Sequence, residues 1–151
     1  IDTNSSELTL YARAKKEVEK LIKDTSDVYL IIKPGSLFGS GMRINSLIKV
    51  ALNKEKPLTL SAESSFYPVF YGDIEELIKE DKEGIYSLIP DEKITLMEIS
   101  KEFKSKPIWG KYTYNCPSAN KLDKQFLTKE MLSKRSINRM KEFIKNYGYK
   151  Y

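Results

Sequence analysis

The run Val28-Tyr29-Leu30-Ile31-Ile32-Lys33-Pro34-Gly35-Ser36-Leu37-Phe38-Gly39-Ser40-Gly41 carries the strongest structural signal in this chain. Its first five residues are almost wholly apolar, which suits a strand buried on both faces of a parallel sheet. Pro34 has no N–H to give to a ladder and ends the strand. The glycine-bearing segment Gly35 to Gly41 then reads as a loop. Upstream, Tyr11, Ala14, Val18, Leu21 and Ile22 recur at helical spacing, so residues 8–23 are expected to form an amphipathic helix. Asp24-Thr25-Ser26-Asp27 breaks that pattern before the strand begins.

The same alternation continues downstream. Ile44, Leu47, Ile48, Ala51 and Leu52 mark a second helix. Leu58–Leu60 and the aromatic stretch Phe66–Tyr71 read as strands. Asp73 with Glu76 has the form of a helix start, with Ile74, Leu77 and Ile78 as its buried stripe. Ile85–Ile89 is another strand, and Thr95 with Glu98 repeats the capping pattern ahead of Leu96, Ile99 and Phe103. Pro107-Ile108-Trp109 opens a strand running to Tyr114. A short helical turn at Thr128–Leu132 and a last helix capped by Ser136 follow, the latter with Ile137, Met140, Ile144 and Tyr147 facing inward. Helices and strands alternate without a clear linker, so the class is α/β and residues 1–151 form a single globular unit.

Composition narrows the chemistry. The chain has 151 residues, 40% hydrophobic and 31% charged, enough for one domain with its own core. No apolar run approaches the roughly 20 residues that span a bilayer, and no membrane partner is expected. With no histidine, His-based zinc sites and Ser-His-Asp triads are excluded within the chain, and no metal site is expected. The single cysteine, Cys116, has no intrachain partner, is read as structural and fits a reducing compartment such as the cytoplasm. Residues 121–150 hold nine basic and three acidic side chains, a balance of +6 against +5 for the whole chain. Such a face suits phosphate, but a solvated Lys-rich helix is the plainer reading, and without a nucleic-acid motif no nucleic-acid partner is expected. The Asn4-Ser5-Ser6 sequon carries no weight in a cytoplasmic protein.

Tyr11-Ala12-Arg13-Ala14-Lys15 places a phenol and an ammonium on one helix face, one turn apart. An ammonium beside a phenol favours the phenolate. A phenol so placed exchanges a proton with a substrate hydroxyl while a hydride moves to or from the same carbon. By itself the pair is a common accident of a Lys-rich amphipathic helix.

In order, the motifs resemble those of the extended short-chain dehydrogenase/reductase family, the NAD-dependent epimerases and dehydratases. That family has a YxxxK helix, a buried strand ending in an Arg-Pro step, an aromatic-Gly pair with a further Gly, a helix over the substrate and an Asp-started helix after a strand. Here these read Tyr11-x-x-x-Lys15, Ile31-Ile32-Lys33-Pro34-Gly35, Phe38-Gly39, Met42–Asn53 and Pro68–Asp73, and the likeness runs over residues 8–103. It implies the C-terminal part of a Rossmann-type parallel sheet interleaved with a small substrate-binding α/β portion. Residues 1–41 would end the dinucleotide-binding domain, and 42–151 would supply mainly the substrate-binding part. Tyr11 would be the catalytic acid or base, and Lys15 would tune it and hold the nicotinamide ribose. Pro34, Gly35 and Ser36 would line the nicotinamide end of NAD or NADP. Arg43 and Asn45 would contact a nucleotide-sugar substrate, although a surface Arg and a helix-capping Asn are equally good readings of those two. The resemblance further implies a homodimer, paired through a bundle that includes the YxxxK helix.

Some features depart from the family pattern. Lys33 stands where Arg is frequent, Phe38 where Tyr is usual, and Phe66-Tyr67 where many members carry Arg-Asp. No G-x-G-x-x-G or G-x-x-G-x-x-G turn, which holds a pyrophosphate at a helix N-terminus, occurs in the sequence. Gly35, Gly39 and Gly41 have the wrong spacing for it, and Ser5, Ser6 and Thr9 lie too close to Tyr11 to act as the family's catalytic Ser or Thr. With Ile1 at the start instead of Met, the expectation is a C-terminal portion of an epimerase, dehydratase or reductase, inactive when isolated. The alternative is a non-catalytic relative that binds a dinucleotide or a partner protein.

Overall fold

A computed structural model describes residues 9–147, apart from the side chain of Tyr147. The Asn4-Ser5-Ser6 sequon, Ser5 and Ser6, Lys150, and the inward side chain expected of Tyr147 lie outside the described residues. In chain order the elements are α1 (Leu10–Thr25), β1 (Leu30–Pro34), β2 (Ser36–Phe38), α2 (Ser46–Ala51), β3 (Lys54–Pro57), β4 (Ser65–Phe66), β5 (Pro68–Phe70), α3 (Tyr71–Lys79), β6 (Gly84–Leu88), β7 (Ile94–Thr95), α4 (Leu96–Phe103), β8 (Lys106–Ile108), β9 (Lys124–Gln125), α5 (Lys129–Ser133) and α6 (Ser136–Tyr147).

The class is the α/β one expected. β1, β6 and β9 form a parallel sheet in the order β1-β6-β9, with Leu30 opposite Gly84 and Pro34 opposite Leu88. β2 pairs in parallel with β5 and β3 with β8, while β4 and β7 make a short antiparallel pair. The strand expected at Leu58–Leu60 is displaced to Lys54–Pro57, and Leu60 keeps a single bridge to Tyr112. Beyond Ile108 the strand expected to reach Tyr114 continues only as bridges, Leu60 to Tyr112 and Ser65 to Asn115.

Local chemistry accounts for most helix starts. Thr9 Oγ1 accepts the Ala12 N–H at 3.2 Å and caps α1. Asn45 Oδ1 accepts the Ile48 N–H at 3.1 Å and caps α2. Thr95 and Glu98 form the expected reciprocal capping box on α4, and its next amides donate to the Ser64 and Ala62 carbonyls. Two expected caps differ. α3 starts at Tyr71, so Asp73 stands at its third position, where its carboxylate takes the Phe70 N–H at 2.8 Å. At α6 the Ser136 hydroxyl donates to the Glu92 carbonyl, and the capping acceptor for the Ser136 N–H is the Glu92 carboxylate at 2.9 Å.

The core lies among α2, α4, α6 and the β2–β5 pair. Phe38, Leu47, Ile48, Val50, Leu96, Ile99 and Met140 are each at most 1% exposed, and burying such a side chain contributes roughly 1.5–3 kcal/mol. Phe38, Phe70 and Phe143 meet ring to ring at 5.4–5.7 Å and tie α6 to the strands. Beside them Asp73 and Arg139, 2% and 8% exposed, form a two-toothed ion pair at 2.7 and 2.8 Å. The Thr128 hydroxyl donates to the same carboxylate at 2.6 Å, and the guanidinium lies 4.5 Å over the Phe70 ring. The carboxylate thus takes hydrogen bonds from Arg139, Thr128 and the Phe70 N–H, the kind of support a buried ion pair needs.

Burial corrects the sequence reading in three places. The stripe assigned to α1 is outward or bare: Tyr11 is 73% exposed, Val18 55% and Leu21 61%, and no α1 residue is buried. β1, expected to be covered on both faces, is only half-buried along its length. Ile78, assigned to the inner face of α3, is also exposed at 56%, because Asp73 and Leu77 are the residues that α3 buries.

Candidate functional site

β1 ends where the chain changes partner. Gly35 N–H donates to the Leu88 carbonyl of β6 at 3.2 Å, and Ser36 N–H donates to the Tyr67 carbonyl at 2.7 Å. The chain therefore leaves one parallel sheet and joins the other within two residues. A side chain at Gly35 would meet the Tyr67 carbonyl oxygen at 2.3 Å, so only glycine lets the strands approach this closely. Gly39 is required for the same reason, since a Cβ there would sit inside the Tyr71 ring. The carboxyl end of a parallel strand, where sheets diverge, is the place an α/β fold offers to ligands.

A groove of about 350 Å³ opens at that point. Lys33, Pro34, Gly35 and Ser36 form one wall, and Ser87 and Ile89 of the neighbouring strand form its floor. Tyr114, Cys116, Pro117, Ser118, Asn120 and Asp123 form the far wall. The lining is rich in hydroxyl and amide groups. Its charges cancel internally: Lys33 Nζ lies 3.3 Å from Asp123 Oδ2 and 3.2 Å from Glu19 of α1. The Ser87 hydroxyl donates to Asp123 at 3.3 Å, so Lys33 ties α1, β1, β6 and the far wall together. Burial raises the Glu19 carboxyl, but hydrogen bonds from Lys23 and Lys33 outweigh it and hold Glu19 below its ordinary value. In the far wall, burial pushes the Tyr114 phenol up, and the adjacent Cys116 acts in the same direction.

The structure brings together three of the seven site residues read from the sequence. Pro34, Gly35 and Ser36 line the groove. Tyr11 and Lys15 stand side by side on the exposed face of α1, the Lys15 ammonium 5.5 Å from the centre of the Tyr11 ring. They do not line the groove walls, but Glu19 of the same helix meets Lys33 of β1. At 1.5 Å per residue, Lys15 and Tyr11 lie about 6 and 12 Å along the helix axis from Glu19. Arg43 is exposed and Asn45 caps α2; neither reaches the groove.

Ser87, Tyr114, Ser118, Asn120 and Asp123 are groove residues that the sequence reading missed. Nothing local marks them, since they arrive through parallel pairing of β6 with β9 and with β1. Only the polar, proline-bearing segment Asn115–Asn120, placed after a strand, hinted at a ligand-facing loop. Among the described residues no cluster of His, Cys, Asp and Glu could hold a metal ion, and no helix is long and apolar enough to cross a membrane.

The fold is the Rossmann-type one found in solved sugar-nucleotide epimerases. The chain is similar to ADP-L-glycero-D-manno-heptose-6-epimerase of Helicobacter pylori, with a TM-score of 0.64 and 12% identity over 99% of this chain and 55% of that one. It is similar to the Bordetella bronchiseptica enzyme WbmG, solved with NAD and UDP, with a TM-score of 0.59 and 12% identity over 98% and 54%. It also resembles UDP-N-acetylglucosamine 4-epimerase of Methanobrevibacter ruminantium, solved with UDP-N-acetylmuramic acid, with a TM-score of 0.53 and 16% identity over 97% and 56%. The chain thus spans about half the length of these proteins. No protein-family model and no curated protein sequence matches it.

Proposed function

We propose that this chain is the C-terminal portion of an NAD(P)-dependent nucleotide-sugar epimerase, dehydratase or reductase. The observation that carries the reading is a coincidence of order and place. A Tyr-x-x-x-Lys helix precedes a parallel strand whose end opens into a polar groove, and Glu19 of that helix meets Lys33 in the groove wall. The groove suits a neutral, hydroxyl-rich ring, because its one lysine and one aspartate satisfy each other. Pro34, Gly35 and Ser36 would border the nicotinamide, and Lys15 would hold the ribose. The pyrophosphate turn would come from the rest of a longer polypeptide, packed against the bare stripe of α1.

When bound, the dinucleotide supplies a hydride donor or acceptor. The chain's own part is the proton: Tyr11 Oη gives it to, or takes it from, the substrate oxygen, with the Lys15 ammonium beside the ring. Asn45 commits its Oδ1 to the α2 cap and keeps its Nδ2 as a donor toward the nucleotide sugar. Arg43, exposed at the loop ahead of α2, would meet a phosphate through paired hydrogen bonds. We place the protein in the cytoplasm, and in the longer polypeptide two copies pair through α1.

One observation favours the non-catalytic alternative: the Lys15 ammonium lies over the ring of Tyr11. A single experiment separates the two. In the native gene product, bound NAD(P) and turnover of UDP-sugars are measured with and without Tyr11→Phe. The proposal predicts cofactor retained and turnover reduced by roughly 10²–10⁴-fold. Unchanged turnover overturns the role of Tyr11, and retained cofactor with no turnover in the unaltered protein supports the alternative.

A further inference from the structure

The sequence places the excess positive charge in residues 121–150, but the structure neutralises much of it there. Lys134 pairs with Glu130 and Glu142, Arg135 with Glu92, Arg139 with Asp73 and Lys141 with Glu102. Uncompensated charge gathers elsewhere, at the β3–β8 edge. A concavity of about 240 Å³ there is lined by Asn53, Lys54, Glu55, Lys104 and Lys106. None of the three lysines makes an ion pair among the described residues.

Several local penalties converge on this spot. Lys54 and Lys106 stand directly opposite each other in the parallel pair, an arrangement that like charges disfavour. The pairing register shifts just after Lys54, and Asn53, 4% exposed, braces the shift through both its amide atoms to Lys56. Glu55 and Lys104 both adopt left-handed backbone, φ 61° and 52°, a strain that persists where the surroundings over-determine it. A plain edge strand guarded by lysines needs no such brace.

We propose that Lys54, Lys104 and Lys106 form an anion site for a phosphate dianion, free or carried as a small monoester. Lysine binds phosphate as a point charge, and three of them outweigh Glu55 and the half-charge of the negative end of α4. The space equals about eight waters at about 30 Å³ each, ample for a phosphate with a small ester group. The site stands apart from the groove at Gly35 and does not depend on the function proposed there.

The test is a titration of the chain with inorganic phosphate at low ionic strength, read by amide ¹H–¹⁵N shifts, against sodium chloride at matched ionic strength. The site predicts saturable shifts confined to residues 53–56 and 104–106. The double variant Lys54→Gln/Lys106→Gln should weaken binding about tenfold or more, whereas Lys20→Gln, which removes one charge from α1, should leave it unchanged. Glycerol 3-phosphate binding more tightly than inorganic phosphate identifies an ester as the ligand; equal binding identifies the free dianion. Shifts that do not saturate, that chloride reproduces, or that survive the double variant overturn the proposal.

Discussion

α1 and α2 are opposite kinds of helix. α1 has 16 residues and buries none of them, whereas α2 has six residues and buries Leu47, Ile48, Val50 and Ala51. Each begins on a good side-chain cap, Thr9 or Asn45. The caps therefore do not separate them; packing does. α2 is held between α4 and the β2–β5 strands inside the main core. α1 is held by its cap, by the Lys23–Glu19 pair and by the Glu19–Lys33 bridge to the sheet. A helix of this length with so little tertiary support is marginal in water. Sequence amphipathicity states that a face wants covering; it does not state that the covering lies within the same stretch of chain. The region built on α2, α4 and α6 is closed on itself, and the region built on α1 and β1 presents a surface.

The contrast can be broken by mutation, and the largest effect is expected in the closed region. Arg139→Leu removes the buried partner of Asp73 and leaves a carboxylate without its cation. A loss of roughly 3–5 kcal/mol in urea unfolding is expected. A loss under about 1 kcal/mol would show that Thr128 and the Phe70 amide satisfy Asp73 without the guanidinium. Next comes a matched pair. Ile48→Ala, at a fully buried position, should destabilise by about 2–5 kcal/mol, whereas Leu21→Ala in α1, 61% exposed, should change stability by no more than about 0.5 kcal/mol. Equal effects would mean that the α1 stripe is covered in solution.

The sequence was most legible where structure is local. Helical spacing located α1, α2, α4 and α6, and the Thr95–Glu98 capping box was readable because both partners lie within one turn. The strand-to-glycine corner at Pro34–Ser36 was readable because Pro and Gly act at their own positions. What failed depends on distant partners. Asp73 reads as a cap, and it does take the Phe70 N–H, but nothing local shows that Arg139, 66 residues away, also claims its carboxylate. The far wall of the groove comes from residues 114–123, brought in by strand pairing that leaves no local mark. The α1 stripe shows a related limit: the period was right, but of its five residues only Ile22 is even half-buried among the described residues.

Amide hydrogen exchange on this chain tests the central contrast most directly. Protection follows the free energy of local opening, which packing sets. The account predicts that the α2 and α4 amides exchange at rates near those of global unfolding, while those of α1 up to Glu17 exchange orders of magnitude faster. Protection of α1 equal to that of α2 would contradict it, because the exposed stripe would then have a partner already in place.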